Sequence, residues 1–115
     1  MATWDDVRAV ARELPDAIEE QGPEDSFFSV RGSWFAVRSR YEEDAIVVHA
    51  DPEERLLLVD SNPGAYYLVP RFERRDHLGA RLTAVTLDEL RERLLDSWLV
   101  AAPRSLRERV VADSD

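Results

Sequence analysis

The chain has 115 residues, of which 44% are hydrophobic, so a folded domain with one hydrophobic core is expected rather than disorder. It contains no cysteine, which excludes disulfide bonds, thiolate nucleophiles and cysteine-ligated metals. The formal net charge of −9 disfavours nonspecific attraction to phosphate backbones and to anionic lipids. All 15 basic residues are arginine, which favours bidentate phosphate or carboxylate contacts, although arginine-rich codon usage explains the same composition.

The first residues and the apolar runs bear on where the protein is located. Residues 1–10 are acidic and amphipathic, unlike the basic and then apolar pattern of a secretory signal. The longest apolar runs, such as Ala45–Val48, have too few residues to span a bilayer. We therefore expect a cytoplasmic protein without membrane association. Residues 1–115 are expected to form a single domain, with a core over about residues 3–106 and a frayed acidic tail.

The first half of the chain predicts one helix and a three-stranded meander. A Thr3 cap and an apolar stripe at helical spacing predict a helix over Trp4–Leu14, which Pro15 ends. Ala17–Asp25 is acidic and contains a glycine-proline pair, so it is interpreted as a loop or a short edge segment. Three segments rich in aromatic and β-branched residues then predict antiparallel strands, with a tight turn at Arg31-Gly32 between the first two: Ser26–Val30, Ser33–Tyr41 and Ala45–Ala50.

The second half predicts two capped helices with two strands between them. Asp51-Pro52-Glu53-Glu54 has the cap, the first-position proline and the capping-box glutamate of a helix start, and Asn62-Pro63-Gly64 ends that helix. Ala65–Val69 and His77–Val85 predict the fourth and fifth strands, and Thr86–Glu89 is a second capping box. The helix that follows carries an apolar stripe: Leu87, Leu90, Leu94, Trp98 and Ala101.

In chain order the elements read α-β-β-β-α-β-β-α, and Arg104–Val111 adds a short last helix after Pro103. Apolar faces of helices and strands are buried when the helices pack on one face of a sheet. The sequence therefore predicts an α+β fold in which a five-stranded antiparallel sheet carries its helices on one face. In the fifth strand, alternation places four residues on one side of the sheet: Leu78, Ala80, Leu82 and Ala84.

Four segments, in the same order as these elements, carry a resemblance to a known family: Thr3–Val7 through Glu13–Pro15, Phe28–Ala36, Asp51–Glu54, and Ser97-Trp98 with Val100–Pro103. Over about Thr3–Leu106 the chain resembles the MmcQ/YjbR family. The resemblance implies a CyaY-like or secretion-chaperone-like fold and a DNA-binding function. One departure is that His77-Leu78-Gly79 is followed by Ala80-Arg81, where family members often have a glycine-tryptophan pair. A ligand surface that uses this tryptophan is therefore in doubt.

An arginine-rich arm, Pro70–Asp76, is the strongest candidate for contact with double-stranded DNA. Its arginines, together with two residues of the next strand, are suited to contact phosphates, and Phe72 to stack on a base. Glu73 and Asp76 neutralise part of this charge, so a solvated loop remains the alternative. The candidate DNA-binding residues of this region are Arg71, Arg74, Arg75, His77 and Arg81.

A second basic candidate lies on the predicted strand Ser33–Tyr41. Alternation places Phe35 and Val37 on one face of this strand. Trp34, Ala36, Arg38 and Arg40 then share the other face. Alternate arginines on one face either line a basic groove near Arg31 or pair with acids such as Glu42 and Glu43, and both interpretations remain open.

The sequence predicts neither a metal nor a cofactor, and it does not predict an enzyme. Asp51 of His49-Ala50-Asp51 is expected to cap a helix, and His77 is the only other histidine. Zinc-ligand spacing and a His-x-x-x-His helix are both lacking. The serines do not lie in a nucleophile-elbow pattern, and the glycines do not form a phosphate-binding loop.

Two functional hypotheses follow. The first, which the family resemblance favours, is a DNA-binding accessory or regulatory protein. The second is a protein-interaction module or chaperone-like adaptor that docks a partner on its sheet face, which the acidic balance favours. A monomer and a homodimer are compatible with both hypotheses.

Overall fold

The structure, a computed structural model, describes residues 1–23, 25–40, 42–69 and 76–113, with side chains as far as Arg109. Four helices are present in these ranges: α1 (Trp4–Arg12), α2 (Pro52–Ser61), α3 (Leu87–Ala101) and α4 (Arg104–Asp113). Six strands accompany them: β1 (Ala17–Gln21), β2 (Ser26–Val30), β3 (Ser33–Arg38), β4 (Ala45–His49), β5 (Tyr66–Tyr67) and β6 (His77–Arg81). None of the described helices has the length and hydrophobicity needed to cross a bilayer.

The strands form one antiparallel sheet in the order β1-β2-β3-β4-β6-β5. The predicted α+β class is confirmed, with six strands in place of five. The additional strand, β1, lies in the segment that was interpreted as a loop or an edge segment. Its acids have partners outside the strand, since Arg8 Nε donates to Glu19 Oε1 at 2.9 Å and Ser29 Oγ donates to Glu20 Oε2 at 2.6 Å.

The helices begin where the sequence places their caps. Thr3 and Thr86 each accept a hydrogen bond from the backbone three residues later, and both capping boxes are complete. Asp51 accepts from the backbone of Glu53 and of Glu54. The turn between β2 and β3 has positive φ at Arg31 and Gly32, as in the turns that suit tight hairpins. Capping and turn chemistry therefore fix the element starts locally.

The hydrophobic core lies between the helices and one face of the sheet. Trp98 of α3, Phe28 of β2 and Ile46 of β4 are fully buried there, and Leu106 of α4 closes its end. Burying such side chains stabilises the fold by about 1.5–3 kcal/mol each. This face of the sheet is called the helix face below, and the opposite face is called the second face.

Several predicted boundaries are wrong by one to a few residues. Helix α1 ends at Arg12 rather than at Leu14, β3 ends at Arg38 rather than at Tyr41, and β5 is limited to Tyr66–Tyr67. The strand predicted over His77–Val85 ends at Arg81, because Leu82–Ala84 forms a 3-10 turn. There Leu82 N donates to Asp44 O, and Leu82 O accepts from Ala2 N, both at 2.8 Å. Ala84 is consequently exposed and does not share the buried face of Leu78, Ala80 and Leu82.

A β-bulge in β3 decides which side chains reach the second face. Phe28 pairs with Ala36 but Ser29 pairs with Trp34, so Phe35 is an extra residue on β3. Phe35 and Ala36 are both buried in the core. Trp34 therefore shares the second face with Val37, and the predicted alternation of this strand is wrong. Periodicity alone misses a bulge, because a bulge is defined by the partner strand.

Candidate functional site

The second face contains a groove of about 690 Å³. It runs across β2, β3, β4 and the start of β6, and the turn before β2 closes one end. Its floor is apolar and aromatic, whereas arginines and an acid lie at its margins. The described lining residues are Gly22, Pro23, Asp25, Ser26, Phe27, Trp34, Val37, Arg38, Ser39, Arg40, Val47, His49 and His77.

Two histidines and an aspartate meet at one end of this groove. His49 of β4 is directly opposite His77 of β6 in the strand register, and their ring centroids are 5.4 Å apart. The Trp34 ring centroid lies 4.0 Å from that of His49 and 5.2 Å from that of His77. Asp76, the residue before β6, places a carboxylate oxygen 3.2 Å from His49 Nδ1. We call His49, Asp76 and His77 the histidine cluster.

The backbone holds the His49 side chain in a defined orientation. Its Nε2 lies 3.1 Å from the carbonyl oxygen of Trp34, and its Nδ1 faces the Asp76 carboxylate. Its backbone N–H donates to Ser97 Oγ of α3 at 2.8 Å. Both ring partners are hydrogen-bond acceptors, so the ring meets them best when a cation, either a proton or a metal ion, lies on the Asp76 side.

A tyrosine lies across the strand beyond the cluster. The Tyr67 ring covers Gly79 so closely that a Cβ atom on Gly79 would lie 2.3 Å from the ring. The hydroxyls of Tyr67 and Ser39 are 2.6 Å apart, and the Arg81 guanidinium lies 4.9 Å from the Tyr67 ring centroid. Glycine is therefore required at position 79 by a close approach, and an alanine there forces the ring to move.

The YjbR family model matches residues 12–100. The chain belongs to the YjbR family. Proteins similar to this chain include uncharacterized proteins of Mycobacterium tuberculosis and Mycobacterium bovis, each 26% identical over 129 aligned residues that cover 99% of both chains. The crystal structure of Deinococcus radiodurans protein DR2400, with the family-model domain DUF419, is 22% identical and matches with a TM-score of 0.78 over 96% of this chain and 88% of that one. This likeness shows that the two proteins share a fold.

Of the candidate DNA-binding residues that the structure describes, Arg38, Arg40 and His77 line the same groove of this YjbR chain, whereas Arg81 is not among its lining residues. Arg71, Arg74 and Arg75 lie outside the described residues. Arg81 Nε donates to Glu42 Oε1 at 2.6 Å, and its Nη1 donates to the carbonyls of Pro63 and Gly64. His77 is 6% exposed and belongs to the histidine cluster. Arg38 stacks over Trp4 at 4.4 Å from the ring centroid, whereas Arg40 is exposed at the groove margin.

Several other described arginines of the YjbR domain are paired with carboxylates. The charges of these guanidinium groups are neutralised locally. The pairs are Arg8 with Glu19, Arg31 with Asp16, Arg93 with Asp96, and Arg104 with Glu108.

The ion pair of Arg81 and Glu42 is expected to make stability depend on pH. The hydrogen bond from Arg81 lowers the pKa of Glu42 from its ordinary 4.5, so the pair stabilises the fold above that pH and is lost as the pH falls through the lowered value. Both side chains are about one-third exposed, so Glu42→Gln should cost only about 0.5–1 kcal/mol at pH 7. Urea unfolding at pH 7 and at pH 3 should show the difference shrinking in acid. Glu43→Gln, at the next exposed acid, is the control and should have little effect at either pH.

The histidine cluster is the feature of this YjbR chain that sequence reasoning missed. His49 and His77 were weighed by their spacing along the chain, whereas the β4–β6 register brings them together. The available signal was that each histidine lies at the end of a predicted strand. It becomes informative only when the pairing of those strands is known.

Proposed function

We propose that the protein is a non-enzymatic binding protein that holds a segment of a partner protein in the groove of the second face. The observation that carries this proposal is the aromatic and aliphatic groove floor, with Phe27, Trp34 and Val37 in a volume of about 690 Å³. Grooves of this size and composition suit one or two large apolar side chains of a ligand. Aromatic residues in such positions supply most of the binding energy of many interfaces.

The floor of the groove is held before a ligand arrives. Trp34 packs against His49 at 4.0 Å between ring centroids, and His49 is bonded to Trp34 O, Asp76 and Ser97. A surface that is already ordered loses little conformational entropy on binding, so more of the contact energy contributes to affinity. We therefore infer a partner segment with an aromatic or large aliphatic anchor.

The proposal is tested by a matched pair of charge substitutions. Val37→Glu places a carboxylate on the groove floor, and Leu57→Glu places the same group on α2, where Leu57 is 68% exposed. A partner captured by the wild type from native lysate, and then purified, should bind Leu57→Glu normally and Val37→Glu at least about tenfold more weakly, a loss of about 1.4 kcal/mol. Thermal melts of both variants check folding. Equal binding by Val37→Glu, or loss only in Leu57→Glu, would place the contact elsewhere.

DNA binding is the second candidate, and the arginine-rich segment of residues 71–75 favours it. Contacts from Arg71, Arg74 and Arg75 to phosphates predict an affinity that falls steeply as salt rises. Anisotropy of a labelled duplex at low and moderate salt measures this. We expect no binding at low salt, because the chain is strongly acidic and several described arginines are paired with acids. Salt-sensitive binding that is lost in an Arg74→Ala, Arg75→Ala double variant would favour DNA instead.

A further inference from the structure

We propose that the histidine cluster binds one divalent transition-metal ion, with His49 Nδ1, a carboxylate oxygen of Asp76 and His77 Nε2 as ligands. Each of the three residues can offer one ligand atom such that the atoms lie within 4.8 Å of one another. His77 Nε2 is 3.9 Å from Asp76 Oδ1, and His49 Nδ1 is 3.2 Å from Asp76 Oδ2. Tetrahedral zinc with bonds of about 2.0–2.1 Å separates its ligand atoms by about 3.3 Å. Small side-chain rotations therefore suffice to close the site.

The strands supply a rigid frame for these ligands. Opposed residues of an antiparallel pair project from the same face with Cβ atoms about 4.5–5.5 Å apart. His49 and His77 are such a pair, and they lie on two neighbouring strands inside the sheet rather than on loops. Asp76 is held at the strand entry, because its carbonyl accepts from Ala50 N at 2.7 Å. The site is consequently formed by backbone pairing and does not need a change of fold.

The orientation of His49 places a position for a cation, either a proton or a metal ion, between its Nδ1 and the Asp76 carboxylate. When Nε2–H donates to the carbonyl of Trp34, the neutral ring presents the Nδ1 lone pair towards the Asp76 carboxylate. A lone pair and a carboxylate repel each other unless a cation lies between them. Metal-bound histidines commonly donate their other ring N–H to a backbone carbonyl in this way, which fixes the tautomer and the ring orientation.

The ligand types narrow the choice of ion. Two imidazoles and one carboxylate suit zinc, iron, copper or nickel better than magnesium or calcium, which prefer oxygen ligands. Three protein ligands leave at least one coordination position of zinc for water or for a donor atom of a bound molecule. Because His49 and His77 line the groove, that position would be accessible from it.

Isothermal titration of Zn²⁺ into the metal-free full chain is the test. We expect one Zn²⁺ to bind per chain. Asp76→Asn keeps the shape of a side chain that is 35% exposed, and it should weaken binding at least about tenfold, since loss of even an outer-shell partner costs about 10–100-fold. Asp25→Asn removes an acid that lines the same groove outside the cluster, and it should retain the wild-type affinity.

A second measurement on the wild type does not depend on any variant. The chain has two histidines, and the NMR signals of both rings should shift when Zn²⁺ is added. Absence of bound Zn²⁺, ring signals that do not shift, or an unchanged affinity in Asp76→Asn would overturn the proposal. These readouts concern the isolated chain, so they are independent of whether a protein segment binds in the groove.

Discussion

Trp98→Ala is expected to lower the free energy of unfolding by about 3–5 kcal/mol, the usual cost of deleting a fully buried tryptophan. The Trp98 side chain of α3 is 0% exposed and lies in the core on the helix face. Its Nε1 also donates to the carbonyl of Pro15 at 3.1 Å, which ties the connection between α1 and β1 to α3. Alanine leaves a cavity and removes that bond. Urea denaturation followed by circular dichroism measures the loss.

Two further variants separate the causes of this effect. Trp98→Phe retains most of the apolar volume but not the N–H donor, so its cost should lie between that of the wild type and that of Trp98→Ala. Leu57→Ala, on the exposed side of α2, should change stability by no more than about 0.5 kcal/mol. A loss below about 1 kcal/mol for Trp98→Ala would contradict the position of this residue at the centre of the core.

Local signals in the sequence predict the starts of helices well. Thr3, Asp51 and Thr86 cap helices through bonds to backbone groups two or three residues away, so the residues that decide the outcome are adjacent in the chain. Strand β1, which the sequence left open as a loop or an edge segment, differs, because Ala17–Gln21 is acidic and its carboxylates find partners on α1 and β2. The low β-propensity of acidic residues disfavours a strand in such a segment, whereas contacts with residues distant in sequence stabilise it.

The candidate site depends more strongly on partners that are distant in sequence. Arg81 was assigned to a DNA surface on its charge, but it pairs with Glu42 across the fold. Trp34 was assigned by alternation to the face of Ala36 and Arg38, but the bulge at Phe35 places it on the face of Val37. The histidine cluster is a consequence of strand register. Charge and spacing in the sequence therefore indicate which residues have suitable chemistry. The pairing of the strands decides which of these residues lie close together.

The same bulge makes Ser97 a second position of large expected effect. After the pair Ala36–Val48, β3 and β4 do not continue their ladder, and the Ser97 hydroxyl joins the two strands. Ser97 Oγ donates to the carbonyl of Phe35 and accepts from the N–H of His49. Its side chain is fully buried, so Ser97→Ala leaves two backbone polar groups without this partner. At about 1–3 kcal/mol for each buried group, the expected loss is about 2–4 kcal/mol.

Urea denaturation of Ser97→Ala tests this expectation, with Ser61→Ala as the matched control. Ser61 Oγ donates to Leu58 O on the exposed end of α2, so its removal should cost no more than about 0.5 kcal/mol. Equal stability of Ser97→Ala and the wild type would mean that water replaces the hydroxyl between the strands. The separation of β3 and β4 would then be a solvated opening next to His49. If Ser97→Ala instead loses the whole expected stability, the Ser97 hydroxyl of α3 holds β3 and β4 at this distance. It then also holds the backbone that orients the histidine cluster.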